Sequence, residues 1–280
     1  MTTAPTIGIH PNIPDAVYRA WPCCNISSLV NILPHNGTPA DYLYWLDHPK
    51  KTKPLRLGVA AHMATLQPEL FNATYIVGPE VRGNTKVWKE ADGVALANGQ
   101  TMVKPDDYNR AMLIAGAVRT HSDTADYLTS GAAEVSFVWV DEKTGLMCKG
   151  RVDWLTGFIV VDLKTARDIS NKGLRDAVAQ YDLAARAAFY LDGLKLADKH
   201  GDTYGPFYHV FVRNQDNSLV RLEELGDEDL SLGRRMYRNA LDRVAKCKKT
   251  GVWHGYKKGI VRLTAPDWYF KKINAYLPEE

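Results

Sequence analysis

The stretch IVVDLKTARD, residues 159–168, runs from an apolar segment directly into an acid and a base. A continuous Ile-Val-Val run is typical of a strand that other elements cover on both faces. Side chains two residues apart on a strand point to the same face, so Asp162 and Lys164 are predicted to share one face and Leu163 to lie on the other. The stretch therefore predicts a buried strand that presents a carboxylate and an ammonium side by side.

This strand is the third of a predicted meander. Alternation of apolar and polar residues begins at Glu134 in EVSFVWV, and the turns DEKTG and TG lead to LMCKGRVDWL and FIVVDLKT. With the second turn centred on the TG pair, Asp153 is predicted to lie opposite Val160 and diagonal to Asp162. Two carboxylates so placed can share one Mg²⁺, and a neighbouring ammonium can stabilise the charge of a phosphoryl-transfer transition state.

The alternative interpretation of the Asp162 and Lys164 pair is structural. An acid and a lysine at the end of a strand usually form a solvated edge with a weak surface ion pair. The surrounding residues favour catalysis, because Glu134 and Asp153 occupy the two preceding strands and a helical pattern follows.

Helical patterns surround the meander. Short helices are predicted in NISSLVNIL, with Asn25 as N-cap, in TPADYLYWLDHP and in RLGVAAHMATLQP, and longer ones over residues 84–100 and 105–130. After the meander we expect one helix in LRDAVAQYDLAARAAFYLDGLKLA, ending near Gly193, then strands in PFYHVFVRN and SLVRLEEL and a helix over residues 227–249. This order predicts an α/β fold with a mixed central sheet flanked by helices.

Length and composition are those of an ordinary globular chain. The 280 residues are 45% hydrophobic and 24% charged, so we expect one domain over residues 1–280. Its parts are predicted to be mainly helical over 1–130, a catalytic sheet and helix over 131–224, and a basic helical part over 225–280. The net charge of +3 is too small by itself to indicate a nucleic-acid-binding protein.

Cysteine usage and hydropathy bear on the compartment. The cysteines are Cys23, Cys24, Cys148 and Cys247, and they lack the spacing of a zinc site or a disulfide framework. A reducing cytoplasm is therefore expected. Neither a signal-peptide pattern nor an apolar run of about 18 residues occurs, so we expect neither export nor a membrane span.

The ordered motifs CKGRVDWL, VVDLKTA and AVAQYDLAARAAFYLDG resemble the RecB-type branch of the PD-(D/E)xK nucleases, and most closely the exonuclease VIII (RecE) type. Upstream, GIHPNIPDAVYRAW and ISSLVNIL resemble the N-terminal segment of that family. LGVAAHMATLQP resembles its G-x-A-x-H helix, and EVSFVWVDEKTGLMCKGRVD its acidic strand-turn-strand. The resemblance covers residues 7–193 and implies a restriction-endonuclease-like core that depends on Mg²⁺ or Mn²⁺.

The resemblance also implies the roles of individual residues. Asp153, Asp162 and His62 match its metal ligands, the backbone carbonyl of Leu163 is a further ligand, and Lys164 is the catalytic lysine. Glu134 matches an acidic residue with a metal-binding or water-mediated role. Without the resemblance, the position of His62 in a helix of small residues predicts a buried structural histidine. Imidazole suits Mn²⁺ better than Mg²⁺, so a histidine ligand makes activity with either ion reasonable.

The helix after the sheet departs from the family pattern. The family carries a Gln followed four residues later by a Tyr, which places both on one helix face. Tyr190 matches the Tyr, but Arg186 stands at the Gln position and the nearby Gln180 is out of register. An Arg can hold a phosphate tightly, whereas the alternative is a solvent-facing Arg on an amphipathic helix.

Basic residues near the C-terminus are candidates for DNA contact. Cations interleaved with aromatic side chains suit phosphate contact and base stacking, although a charged helix face is more often simply solvated. The candidates are Arg235, Arg238, Lys248, Lys249, Trp253, Lys257 and Lys258. A second basic group, Lys50, Lys51, Lys53 and Arg56, precedes the His62 helix.

The resemblance implies a DNA exonuclease that degrades linear double-stranded DNA from its ends, 5′ to 3′, in phage-type homologous recombination. It further implies a single-strand annealing partner of the RecT type, a ring-like homo-oligomer, and a bacterial or phage-encoded cytoplasmic protein. Alternatives are an endonuclease or single-strand nuclease with the same core, or a DNA-binding protein that keeps the fold without cutting. The presence of Asp153, Asp162 and Lys164 argues against the last alternative.

Overall fold

The computed structural model describes residues 5–48, 53–215 and 217–277, without the side chains of residues 53–56. Of the early basic group, Lys50 and Lys51 lie outside the described residues, as do the side chains of Lys53 and Arg56. Within the described part, none of the helices combines the length and the apolar character needed to cross a membrane.

Helices dominate the part of the chain before residue 121. The elements are β1 (Gly8–His10), α1 (Asp15–Ala20), α2 (Ile26–Leu29), α3 (Pro39–Asp47), α4 (Lys53–Leu66), α5 (Pro68–Thr74), β2 (Tyr75–Val77), α6 (Lys86–Ala97), β3 (Thr101–Val103) and α7 (Pro105–Thr120). Asn25 caps α2 as predicted, since its side chain accepts a hydrogen bond from the backbone N–H of Ser28. Thr38 and Asp41 form a capping box at the start of α3.

In the rest of the chain, runs of strands are followed by pairs of helices. The elements are β4 (Ala132–Val140), β5 (Met147–Thr156), β6 (Ile159–Ala166), α8 (Asn171–Gln180), α9 (Leu183–Ala197), β7 (Phe207–Arg213), β8 (Val220–Glu224), α10 (Asp227–Thr250) and α11 (Asp267–Asn274). The predicted meander is β4, β5 and β6, and the predicted C-terminal helix is α10.

A mixed six-stranded sheet lies at the centre, in the order β1-β4-β5-β6-β7-β8. Strands β6 and β7 are parallel, and the other neighbouring strands of this sheet are antiparallel. The predicted α/β fold with a mixed central sheet is confirmed. The sequence pattern does not indicate β1 or the parallel pair β2 and β3, because strands of three residues are too short to show a period of two.

Strand β6 is covered on both faces, as its apolar run predicted. Val160 packs in one core cluster with Phe189 of α9 and Leu241 of α10. Leu163 packs in a second cluster with Ala61 of α4 and Ile114 of α7. Full burial of each such side chain contributes roughly 1.5–3 kcal/mol to the stability of the fold. The two clusters therefore fix the position of β6 along its neighbouring strands.

The prediction of one helix after the meander was wrong, because the chain breaks between α8 and α9. Asp182 adopts a left-handed conformation there, with φ of 51°. Its carboxylate is buried and accepts hydrogen bonds from Asn36 Nδ2 at 2.6 Å and His35 Nε2 at 2.9 Å. These long-range partners favour the break, and they are invisible in the local sequence.

The predicted helix over residues 105–130 is also too long. Helix α7 ends at Thr120, because His121 is extended and the hydroxyl of Thr124 donates to the carbonyl of Val118. The segment that follows contains a short 3-10 turn, Asp126–Leu128, before β4 begins.

Close packing of α10 on α9 depends on Gly233. A Cβ at this position would lie 2.1 Å from the carbonyl oxygen of Ala184 in α9. Gly233→Ala is therefore expected to lower the free energy of unfolding by about 1–3 kcal/mol, as overpacking does. The matched control is Gly116→Ala in α7, where a Cβ meets no atom within 4 Å. That variant should raise the free energy of unfolding by about 0.5–1 kcal/mol. Urea unfolding of both variants is the measurement, and equal effects would contradict this packing.

Candidate active site

The turn between β5 and β6 consists of Gly157 and Phe158, because Thr156 pairs with Ile159 and Leu155 with Val160. The prediction that Asp153 lies opposite Val160 was therefore wrong by two positions. The TG pair is not the centre of the turn, since Thr156 is still paired and Gly157 takes the first turn position with φ of 55°. The ladder ends at the pair of Trp154 with Val161, and the next residue beyond that pair is Asp153 on β5 and Asp162 on β6.

Glu134 lies opposite Asp153 in the register of β4 and β5. The flanking pairs are Ala133 with Trp154 and Val135 with Val152, while Glu134 and Asp153 themselves are left out of the ladder. Glu134 has φ of 52°, a left-handed conformation that costs a non-glycine residue about 1–3 kcal/mol. Three carboxylates, of Glu134, Asp153 and Asp162, thus lie in one row across three adjacent strands.

Helix α4 brings His62 to this row. Its Nδ1 lies 3.6 Å from Asp153 Oδ2, and the His62 side chain is 25% exposed. One ligand atom each of His62, Glu134 and Asp153 lies within 4.8 Å of the other two. The structure therefore places His62 beside the carboxylates, where the resemblance implied a ligand, and not inside the apolar core.

Burial makes two of these carboxyl groups difficult to ionise. Burial, together with the neighbouring charge of Asp153, raises the pKa of Glu134 to about 7. Burial also raises the pKa of Asp153, although the nearby His62 acts in the opposite direction. The backbone N–H of Leu163 donates to Asp153 Oδ2 at 2.8 Å and fixes the orientation of that carboxylate.

Asp162 has a different environment from the other two carboxylates. Its Oδ2 lies 2.5 Å from Lys164 Nζ and 3.0 Å from His209 Nδ1. Burial acts against ionisation, but the Lys164 ammonium and the hydrogen bond from His209 outweigh it and hold the pKa of Asp162 well below its usual range. Asp162 and Lys164 are therefore paired as the strand pattern predicted. His209 was not predicted as a site residue from the sequence.

A cleft of about 900 Å³ opens beside Glu134. Its lining combines cations with aromatic rings, which suits a polyanion that carries bases. The cations are Arg19, Lys149, Arg151 and Lys248, and the rings are Tyr18, Trp21, Tyr42, Trp45, Tyr190 and Trp253. Arg151 Nη1 lies 3.9 Å from Glu134 Oε2, so the cleft and the carboxylate row are in direct contact.

Three of the predicted DNA-contacting residues line this cleft. Tyr190 lies beneath it and packs its ring against Phe137 and Phe207. Trp253 stacks on Tyr42 at 5.7 Å between ring centroids. Lys248, at the end of α10, is exposed at the rim.

The other predicted DNA-contacting residues are not part of the lining of this cleft. Arg186 donates to the Tyr181 carbonyl and to the Ser27 hydroxyl, and Arg238 is ion-paired with Asp141 at 2.5 Å. The exposed residues are Gln180 at the end of α8, Arg235 and Lys249 on α10, and Lys257 and Lys258 in the segment between α10 and α11.

Comparison with known proteins agrees with this architecture. Residues 35–261 match a sequence family described as "PDDEXK-like domain of unknown function (DUF3799)". The match spans most of the chain, and the protein belongs to this family. It therefore carries a nuclease domain of the PD-(D/E)xK class, as the motifs predicted.

Similarity to a solved structure is confined to the fold. A crystal structure described as a "putative exonuclease" from Eubacterium rectale superimposes with a TM-score of 0.61 at 14% sequence identity, covering 91% of this chain and 94% of that chain. No curated protein matches this sequence. The closeness to the exonuclease VIII type thus stays a prediction.

PD-(D/E)xK nucleases generally use divalent metal ions, and the donor atoms of the carboxylate row fit such an ion. One imidazole nitrogen and two carboxylates converge, with a third carboxylate on the next strand. Oxygen donors suit Mg²⁺, and the imidazole adds affinity for Mn²⁺. Burial and, to a smaller extent, the neighbouring carboxylates raise the pKa of Glu134 and Asp153, and a bound dication would favour the ionised form of both.

The raised pKa of Glu134 predicts that metal binding depends on pH. Below about pH 7 this carboxyl holds a proton that a cation must displace. We therefore expect the affinity for Mn²⁺ to fall about tenfold for each pH unit below 7, as release of one proton requires. In the metal-free protein the same group makes folding less favourable as pH rises from 4.5 to about 7, since the folded state then retains a proton that the unfolded state has lost.

Thermal unfolding with and without Mn²⁺ measures both effects. The increase in Tm on adding Mn²⁺ should be larger at pH 8 than at pH 6. An equal increase at the two pH values would show that Glu134 is already ionised in the metal-free protein.

Proposed function

We propose that this protein is a Mg²⁺- or Mn²⁺-dependent exonuclease that degrades linear double-stranded DNA. The observation that carries the proposal is the convergence of His62, Glu134 and Asp153, with the Asp162–Lys164 pair on the next strand and a cleft lined by cations and aromatic rings beside Glu134. In this proposal the ligands are His62, Asp153, Asp162 and the backbone carbonyl of Leu163, and Glu134 binds directly or through water.

Each side chain has a defined chemical task. A bound metal ion would supply Lewis-acid stabilisation of phosphate charge and lower the pKa of the attacking water. His62 and Asp153 would hold the ion at the sheet, and Lys164 would offer its ammonium to the phosphate oxygen on which charge develops. Lys149 and Arg151 lie on the same strand as Asp153 and anchor the segment before α2 to it: Lys149 Nζ donates to the Tyr18 and Trp21 carbonyls, and Arg151 Nη2 donates to the Ile13 carbonyl.

Phosphate contacts along the path of the DNA are assigned to side chains that are open to it. Tyr190, Lys248 and Trp253 line the cleft, and the exposed cations Arg235, Lys249, Lys257 and Lys258 extend the positive surface beyond it. Each phosphate neutralised by a cation releases counterions, so affinity should fall steeply with salt.

The finer parts of the proposal rest on the resemblance to the exonuclease VIII type. They are 5′ to 3′ polarity, a role in phage-type recombination beside a RecT-like annealing protein, a ring-like homo-oligomer, and a bacterial or phage-encoded protein of the cytoplasm. The description of the Eubacterium rectale neighbour as an exonuclease agrees with the preference for DNA ends.

Incubation of linear, nicked and covalently closed duplex DNA with Mg²⁺ or Mn²⁺ tests the proposal. We expect loss of the linear DNA alone, and no loss when EDTA removes the metal. Cutting of closed circles would favour the endonuclease alternative. Persistence of all substrates in both ions would favour a DNA-binding protein that does not cut. On the linear substrate, a label at the 5′ or the 3′ end of one strand reports the polarity.

A further inference from the structure

His209 is the buried partner of Asp162. It lies on β7 directly beside Asp162 in the parallel ladder of β6 and β7. The residue is 2% exposed and stands between the rings of Phe207 and Phe211, at centroid distances of 5.0 and 5.8 Å. An imidazole in such an apolar position requires a reason other than solvation.

One hydrogen bond accounts for its position. His209 Nδ1 lies 3.0 Å from Asp162 Oδ2, and because a carboxylate only accepts, Nδ1 is the donor. The other ring nitrogen, Nε2, is buried and has no hydrogen-bond partner among the described residues. An unsatisfied buried polar atom costs about 1–3 kcal/mol, so a purely structural role would be served better by an apolar side chain.

Lys164 shares the same oxygen of Asp162. Its Nζ lies 2.5 Å from Oδ2, so this one atom receives both donors. The other carboxylate oxygen, Oδ1, receives no hydrogen bond from the described residues and stays available to a cation. When Lys164 turns toward a phosphate, the bond from His209 is the one that keeps Asp162 in place.

We propose that His209 is a positioning residue that holds Asp162 by its Oδ2, directs Oδ1 to the metal ion, and frees Lys164 for the substrate phosphate. This inference rests on the proposed function of the site. The inference adds His209 to the site, from strand β7, which lies next to β6 in the sheet. Hydrogen-bond partners of metal ligands typically change metal affinity or activity by 10–100-fold when they are lost.

Two substitutions separate positioning from structure. His209→Leu removes the donor but keeps an apolar side chain, and we expect it to weaken Mn²⁺ binding about 10–100-fold and lower kcat while KM for DNA stays unchanged. His209→Asn places an amide N–H close to the position of Nδ1 and should restore most of the affinity. Mn²⁺ binding followed by electron paramagnetic resonance is the primary measurement, because it does not depend on turnover.

The matched control is His35→Leu, since His35 also bonds a buried aspartate, Asp182, at 2.9 Å away from the carboxylate row. That variant should bind Mn²⁺ as the wild type does. Equal binding by His209→Leu and the wild type would overturn the inference. So would an equal loss in His209→Leu and His209→Asn accompanied by lower Tm, which indicates a packing role. If the wild type itself binds no Mn²⁺, the proposed function fails instead.

Discussion

Asp162→Asn is expected to lower the rate of DNA cleavage by at least about 10³-fold, at the upper end of what loss of one preorganised catalytic group produces. The substitution keeps the shape of the side chain but removes the charge that Lys164 Nζ and His209 Nδ1 stabilise. It also removes the third carboxylate of the row, which is a proposed ligand of the metal ion. Single-turnover cleavage of an end-labelled duplex at saturating Mg²⁺ is the measurement.

Stability has to be measured beside activity in this variant. The low pKa of Asp162 means that its charge stabilises the folded protein above the pKa of an unfolded aspartate, and that this stabilisation is lost as pH falls through the lower folded value. Asp162→Asn should therefore lower Tm at pH 7 and leave the protein folded. The control is Asp176→Asn on α8, which removes an exposed ion pair with Lys172 and should change neither property. Cleavage by Asp162→Asn at the wild-type rate would show that the metal site lies elsewhere.

Lys164→Met is expected to lower kcat by about 10²–10³-fold, because the ammonium that stabilises developing phosphate charge is lost. Metal affinity should change little, since His209 still holds Asp162 Oδ2 at 3.0 Å. The measurements are single-turnover cleavage and Mn²⁺ binding by calorimetry. The two substitutions thus separate catalysis from metal binding within one ion pair.

Lys172→Met supplies the control for the loss of a lysine. Lys172 is exposed on α8 and pairs with Asp176, so its removal should leave the cleavage rate unchanged. If Lys164→Met lost metal affinity and rate in equal proportion, the lysine would act by holding Asp162 and not by contacting the phosphate.

Much of the fold can be predicted from patterns in the local sequence. The Ile-Val-Val run predicts β6 with cover on both faces, Asn25 predicts the start of α2, and the alternation after Glu134 predicts β4 and β5. These features depend on neighbouring residues alone. Features that depend on residues distant in sequence were not predicted, or were predicted wrongly. One example is the break at Asp182, which Asn36 and His35 stabilise from another part of the chain.

The candidate site shows the same division. Asp162 and Lys164 are recognisable as a pair from their spacing, and the family resemblance singles out His62. The position of Asp153 next to Asp162 depends on which two residues form the turn, and the sequence pattern favoured the wrong pair. His209 joins the site through the parallel pairing of β6 with β7, which α8 and α9 separate in sequence. No local pattern reports that pairing.

Anomalous diffraction from crystals soaked in Mn²⁺ tests most directly the claim that these residues form one metal centre. The predicted result is a peak at coordination distance, about 2.0–2.5 Å, from the donor atoms of His62, Asp153 and Asp162, with Glu134 bound directly or through water. Strong Mn²⁺ peaks elsewhere on the protein, with none beside these residues at pH 8, would contradict the claim.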